Sequence, residues 1–140
     1  MTVKTETNFW KSLKKFLESG REKYLISRIE SYATPGFPDC IVFNGRTGFF
    51  TLELKIVQPN KKLRISPLQT AWNKWYGGAG APVFILVDLR KTPKGRYVKL
   101  FPGTLAQDLR EKGIDAVPGL YEGRLEDLDL CQVVSNSQTP

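Results

Sequence analysis

The stretch Phe49-Phe-Thr-Leu-Glu-Leu-Lys-Ile56 decides how this chain is read. Side chains on a strand alternate between faces. Phe50, Leu52, Leu54 and Ile56 therefore share one face and are expected in a core, while Thr51, Glu53 and Lys55 share the other. An acid and an amine on such a strand are ordinarily an ion pair on a half-exposed face. Here a second carboxylate accompanies them. Pro38-Asp39 lies fourteen residues before Glu53, at the mouth of a short apolar strand, Cys40–Phe43. Asn44-Gly45 opens a turn and Gly48 closes it, which predicts a hairpin and brings Asp39 towards Glu53 at one end of a sheet. Two carboxylates and a strand carbonyl, that of Leu54, make an all-oxygen site for a hard cation, Mg²⁺ or Mn²⁺. Lys55 would point into the same site, its ammonium placed to orient a water or to stabilise charge developing on a phosphate. That set is chemically complete for hydrolysing a phosphodiester without histidine.

Histidine is in fact absent from the 140 residues. This excludes Ser-His-Asp and Cys-His catalysis, His-ligated zinc and His-based nuclease chemistry. The two cysteines, Cys40 and Cys131, make no metal cluster and are expected as reduced thiols, Cys40 as a small buried hydrophobe. The length suits one domain able to bury a core without disulfides. With 41% hydrophobic and 25% charged residues, the composition is that of a globular chain. The apolar run Pro82–Val87 is far too short to cross a membrane.

The net charge is +7, and it is unevenly spread. Residues 1–112 hold 20 Lys/Arg against 9 Asp/Glu, whereas residues 113–140 hold one Arg against five acids. A basic body on a small domain points to a polyanion, most often nucleic acid.

Outward from the decisive strand, the periodicity predicts a helix over 6–19. Phe9, Trp10, Leu13, Phe16 and Leu17 lie on one face and Lys11, Lys14, Lys15 and Glu18 on the other; Thr5 is the expected N-cap and Gly20 the stop. A strand is expected over 24–31 and a loop over 32–38. A basic loop over 57–65 leads to Ser66-Pro-Leu-Gln69, a capping box that starts a helix ending at Gly77-Gly78. Leu68, Ala71, Trp72 and Trp75 form one face of that helix, with both tryptophans expected in the core. Pro82–Leu89 reads as a buried strand, Thr92–Gly95 as a turn, Arg96–Phe101 as a strand and Thr104–Lys112 as a helix stopped by Gly113. The order is α-β-β-β-α-β over residues 6–89 with a β-α appendage, which predicts an α/β fold with a single mixed sheet flanked by helices. Residues 1–128 are expected as one domain and 129–140 as a flexible tail.

Pro38-Asp39, thirteen residues, then Glu53-Leu54-Lys55 resembles the motif of the PD-(D/E)XK nuclease superfamily, and the α-β-β-β-α-β order is similar to its core. The likeness covers residues 6–89. Gly36-Phe-Pro-Asp39 and Ile65-Ser-Pro-Leu-Gln69 resemble the VRR-NUC and Holliday-junction-resolvase-like branches. The resemblance implies a Mg²⁺- or Mn²⁺-dependent DNA endonuclease, selective for branched DNA in recombination, repair or phage genome processing. It also implies a homodimer if a junction is cut symmetrically. A nuclease-like fold that binds nucleic acid without cutting is the alternative; the presence of Asp39, Glu53 and Lys55 together argues against it. A cytoplasmic enzyme of a prokaryote or a phage-infected host cell is expected.

The family commonly places an acid on its first helix. Of Glu6, Glu18 and Glu30, Glu6 falls within the apolar arc, to reach a metal directly or through water; the favourable place of an acid at a helix start explains it equally. Gln69 matches the family's downstream glutamine, which positions the nucleophile or scissile phosphate; its place in the capping box explains it equally, and both roles can hold. Lys61, Lys62 and Arg64 flank the site and are expected to hold the phosphate backbone. Phe37, at the site entrance, is a candidate for stacking on a base.

Overall fold

The computed structural model describes residues 2–29, 36–90 and 95–138. Six strands form one sheet in sequential order: β1 (Leu25–Arg28), β2 (Cys40–Asn44), β3 (Gly48–Ile56), β4 (Val83–Asp88), β5 (Tyr97–Pro102) and β6 (Tyr121–Arg124). β3 and β4 run parallel, joined by helix α2 (Pro67–Gly78); the other neighbours are antiparallel. Helices α1 (Thr2–Ser19), α3 (Ala106–Lys112) and α4 (Leu130–Ser137) complete the layers. The α/β fold with one mixed sheet flanked by helices is as the sequence predicts.

Each face of the sheet carries its own core. On one, Phe50, Leu52 and Leu54 pack with Phe9, Leu13 and Leu17 of α1 and with Leu130 and Val134 of α4. These are the alternate residues of β3 and the inner arc of α1 that the two periodicities single out. On the other face, Ile85 and Val87 of β4 meet Leu63 and Ile65 of the basic loop and Ala106 and Leu109 of α3. Thus β4 is apolar on both sides, as a central parallel strand should be. The hairpin between β2 and β3 pairs Asn44 with Gly48, whose φ of +73° is the left-handed conformation that closes the turn.

Several expectations need correction. Helix α1 begins at Thr2, so Thr5 lies inside it. Gly77 and Gly78 are the last residues of α2, not its stop. Gly77 is required for close packing instead: a Cβ there would sit 2.7 Å from the Thr104 side chain. Residues 129–138 are not frayed. Asp129 caps α4, Leu130, Cys131 and Val134 are fully buried, and the Cys131 thiol donates to Asn44 Oδ1 at 3.0 Å. Strand β6 was not foreseen. Cys40 and Cys131 are free thiols, as expected; the burial of Cys40 was foreseen and that of Cys131, assigned to the tail, was not. Residues 30–35 of the predicted strand and loop and 92–94 of the predicted turn lie outside the described residues.

Helix α2 departs furthest. Its buried residues are Thr70 and Asn73, while Leu68 and Trp75 are 55% and 72% exposed. The tryptophans expected in the core are an outer, solvent-facing Trp75 and a part-buried Trp72 stacked on Tyr76.

Candidate active site at the end of the sheet

The ladder between β2 and β3 ends at Cys40–Leu52, so β3 continues beyond its hairpin partner, paired there with β4. The Leu54 N–H, free of β2, donates to Asp39 Oδ2 at 2.7 Å. The N–H and C=O of a strand residue point to the same edge, which directs the Leu54 carbonyl to the Asp39 side as well. Asp39 is itself set at the mouth of β2 by the Gly36-Phe-Pro turn. Gly36 has φ +95°, and a Cβ on it would approach the Leu68 carbonyl to 2.7 Å.

Glu53 is the deepest member, 1% exposed. Gln69 Nε2 donates to its Oε2 at 3.0 Å, and Lys55 Nζ stands 3.8 Å from the same oxygen. Its other oxygen, Oε1, has no hydrogen-bond partner. The Asp39 carboxylate is close enough for its charge to act on the Glu53 carboxyl. Burial pushes the Glu53 carboxyl well above the usual carboxylate range, the Asp39 charge pushes it further, and Lys55 opposes both.

Lys55 Nζ donates to the Arg64 carbonyl at 2.8 Å and to Gln69 Oε1 at 2.9 Å. The same Gln69 oxygen accepts from the Ser66 N–H at 3.1 Å, while Ser66 Oγ accepts from the Gln69 N–H at 3.0 Å. The capping box and the site contact are therefore one device. The start of α2 fixes Gln69, and Gln69 fixes both Lys55 and Glu53. The amide orientation follows, because the reverse would set its NH₂ against an ammonium and its oxygen against a carboxylate.

Glu6 reaches the same place from α1. It lines a small cavity of about 190 Å³ with Trp10, Arg28, Asp39 and Leu54. Burial raises its carboxyl; the fields of Lys55 and Arg28 lower it and that of Asp39 raises it. Glu18 faces solvent and pairs with Lys14 at 2.8 Å, and Glu30 lies outside the described residues. Among the described residues no three acidic, cysteine or histidine side chains close into a metal cage. A hard cation would rest on two carboxylates, Asp39 and Glu53, with the Leu54 carbonyl and water, the partial protein shell that Mg²⁺ accepts. The orphaned Glu53 oxygen and the raised Glu53 carboxyl fit such an ion.

Asp39, Glu53, Lys55, Gln69, Leu54 and Glu6 are thus brought together. The remaining expectations are placed as follows. Lys62 and Arg64 line a cleft beside Lys55. Lys61 is turned from it, its Nζ 3.6 Å from Asp115. Phe37 packs edge-on against Trp72, ring centroids 5.7 Å apart. Two members were not foreseen. Arg28 stands opposite Cys40 in the β1–β2 ladder, and so comes beside Asp39. Arg110 of α3 joins the cleft with Lys62 and Arg64. Neither carries a local sequence signal, since strand register and helix docking place them.

No protein-family profile matches the chain, and no curated protein matches it in sequence. Among solved structures, the chain is similar to Hjc of Archaeoglobus fulgidus, a Holliday junction resolvase from an archaeal hyperthermophile. The superposition covers 97% of this chain and 99% of that one, with a TM-score of 0.51 and 18% identity. The likeness is one of fold: this chain has the restriction-endonuclease-like architecture of Hjc.

Proposed function

We propose that this protein is a divalent-metal-dependent nuclease that hydrolyses DNA phosphodiester bonds, with branched DNA such as a Holliday junction as its preferred substrate. One observation carries the reading. A fully buried Glu53 keeps an unsatisfied oxygen beside Asp39, at the end of a strand that also carries Lys55. A buried carboxylate oxygen left without a donor, next to a second carboxylate, suits a bound cation. The net charge of +7 suits a polyanionic substrate, and the fold shared with a junction resolvase supports the branched preference.

Asp39, Glu53 and the Leu54 carbonyl would hold the metal, with Glu6 acting at longer range through water. The ion supplies Lewis-acid stabilisation of the phosphoryl oxygens and a more acidic water. Lys55, held by Gln69 Oε1 and the Arg64 carbonyl, keeps its ammonium aimed at the site. There it orients the attacking water and offsets charge building on the phosphate. Gln69 acts through Lys55 and Glu53 and is a positioning residue. Two equivalent strands at a symmetric junction require two such sites, so the active form is read as a homodimer.

The test is cleavage of end-labelled single strand, duplex, flap and four-way junction with Mg²⁺ or Mn²⁺, beside EDTA and Lys55→Ala controls, with sedimentation to read the oligomer. Metal-dependent cutting of the junction, lost in the variant, is expected. Salt-sensitive binding without cutting in either metal would replace this reading by that of a DNA-binding protein. Neither cutting nor binding would remove nucleic acid altogether.

A further inference from the structure

Beside the site, an open cleft of about 910 Å³ is lined by Lys55, Lys62, Arg64 and Arg110, with Gln58 and Gln69 in its walls. Among the described residues no acidic side chain lines it. The chain carries five Lys/Arg and no Asp/Glu between Glu53 and Asp88. Among the described residues, Lys62, Arg64 and Arg110 have no carboxylate partner. Four like charges gathered around one hollow, three of them without a counter-charge, are a standing electrostatic cost that an anion would remove.

The wall is fixed in place. Leu63 and Ile65 are buried, which leaves the alternate residues Lys62 and Arg64 facing outward. Lys61 holds a left-handed backbone, φ +66°. Its N–H donates to the Gln58 carbonyl and its own carbonyl accepts from the Ile114 N–H, both at 2.9 Å. Gly113 lies against that carbonyl so closely that a Cβ would come within 2.9 Å. The basic loop is thereby tied to the end of α3, which is the helix that presents Arg110. The sequence grouping Lys61, Lys62, Arg64 becomes Lys62, Arg64, Arg110 in space.

We infer that this cleft is a phosphate subsite, which takes one phosphate flanking the phosphodiester held at Asp39, Glu53 and Lys55. Arg64 and Arg110 are its forked donors, suited to grip a phosphate through paired N–H groups. The inference rests on the nuclease reading above. An internal backbone phosphate and a terminal 5′-phosphate present the same chemistry, and the experiment separates them.

The test is equilibrium binding of the full chain to a four-way junction and to duplex in EDTA, so that no cutting occurs, across a salt series. Arg110→Ala is expected to weaken binding about ten-fold, on the scale of one charge-assisted hydrogen bond, and to flatten the log–log salt slope by about 1. Lys112→Ala, two residues on at the end of α3 and near Asp108, is the control expected to change neither. Arg110→Lys, which keeps the charge and loses the fork, is expected to recover the slope and only part of the affinity. Arg110 is exposed, and unchanged thermal unfolding verifies that each variant is folded. A scan of single neutral methylphosphonates through the DNA is expected to find one position that weakens wild type and leaves Arg110→Ala unaffected; that result assigns an internal phosphate. If instead removal of the 5′-phosphate has this pattern, the subsite takes the terminus. Wild-type binding with an Arg110→Ala affinity and slope equal to it overturns the subsite and leaves the nuclease reading standing. Absence of any DNA binding by wild type overturns both.

Discussion

Replacing Glu53 by Gln should abolish cleavage and at the same time make the protein more stable. The isosteric amide keeps an oxygen where Gln69 Nε2 donates at 3.0 Å. It sets a donor in place of the orphaned acceptor Oε1 and takes away the charge that acts against Asp39. The repulsion within a carboxylate pair is relieved, and a charge on a 1%-exposed group is removed. Against this stands the attraction of Lys55 at 3.8 Å, although Lys55 keeps the Arg64 and Gln69 acceptors. Satisfying a buried orphan is worth about 1–3 kcal/mol. The long ion contact returns about 1 kcal/mol of that, for a net gain of about 0–2 kcal/mol. For 140 residues the gain raises Tm by up to roughly 7 °C. The assay is thermal unfolding in EDTA at pH 7, with urea unfolding to verify an unchanged m-value. The sign of the pH dependence follows from the raised carboxyl. Its penalty is full above the folded pKa and absent below the unfolded one, so the native state binds the extra proton between them. Wild type should therefore gain on the variant as pH falls from neutrality through that window. A Glu53→Gln protein less stable than wild type at pH 7 without metal, or a gap that widens on acidification, would refute this reasoning.

Gln69→Glu keeps the acceptor for Ser66 and Lys55 and turns the donor to Glu53 into a like charge. Circular dichroism should show α2 intact, stability should fall by about 1–3 kcal/mol, and cleavage should fall at least ten-fold; wild-type turnover would detach Gln69 from the site. Gly36→Ala must adopt φ +95° and press a Cβ to 2.7 Å from the Leu68 carbonyl. It should cost about 1–3 kcal/mol and impair cutting through Asp39, whereas Gly45→Ala, with no neighbour within 4 Å, should be near neutral. An equal effect of the two would remove the close approach as the cause. Mg²⁺ should raise the Tm of wild type at neutral pH and less so on acidification, because protons compete for the raised Glu53 carboxyl. The increment should vanish in Glu53→Gln, and its persistence would place the ion elsewhere.

The parts of this structure that the sequence foretells are those where local chemistry and tertiary outcome coincide. Alternation along Phe49–Ile56 sorts the core face from the reactive face because β3 is buried on one side by α1 and on the other meets polar partners. Asn44-Gly45 and Gly48 fix the register that brings Asp39 to Leu54, fifteen residues away. Ser66-x-x-Gln69 is legible as a cap. Helix α4 is not legible, because its eight residues are stabilised by what they meet: Cys131 finds Asn44, 87 residues distant. Arg110 is silent for the same reason. Nothing near it in sequence says that α3 ends against the Lys61 carbonyl.

The inversion of α2 has a different cause. Its periodicity correctly describes an amphipathic helix, and the rule that the apolar arc turns inward then fails. The sheet face beneath the helix explains why. Thr51, Glu53 and Lys55 project there from β3, and a helix laid on them with Leu68, Trp72 and Trp75 inward would bury two charges against hydrocarbon, at a cost of several kcal/mol per ion. Presenting Gln69, Thr70 and Asn73 instead gives Glu53 a donor and Lys55 an acceptor. Thr70 and Asn73 return hydrogen bonds to the backbone of their own helix. The exposed Trp75 is thus a consequence of the buried Glu53. A chain that must keep a charged strand face inside a domain turns its covering helix polar side down, and the place where the amphipathic rule breaks coincides with the candidate site.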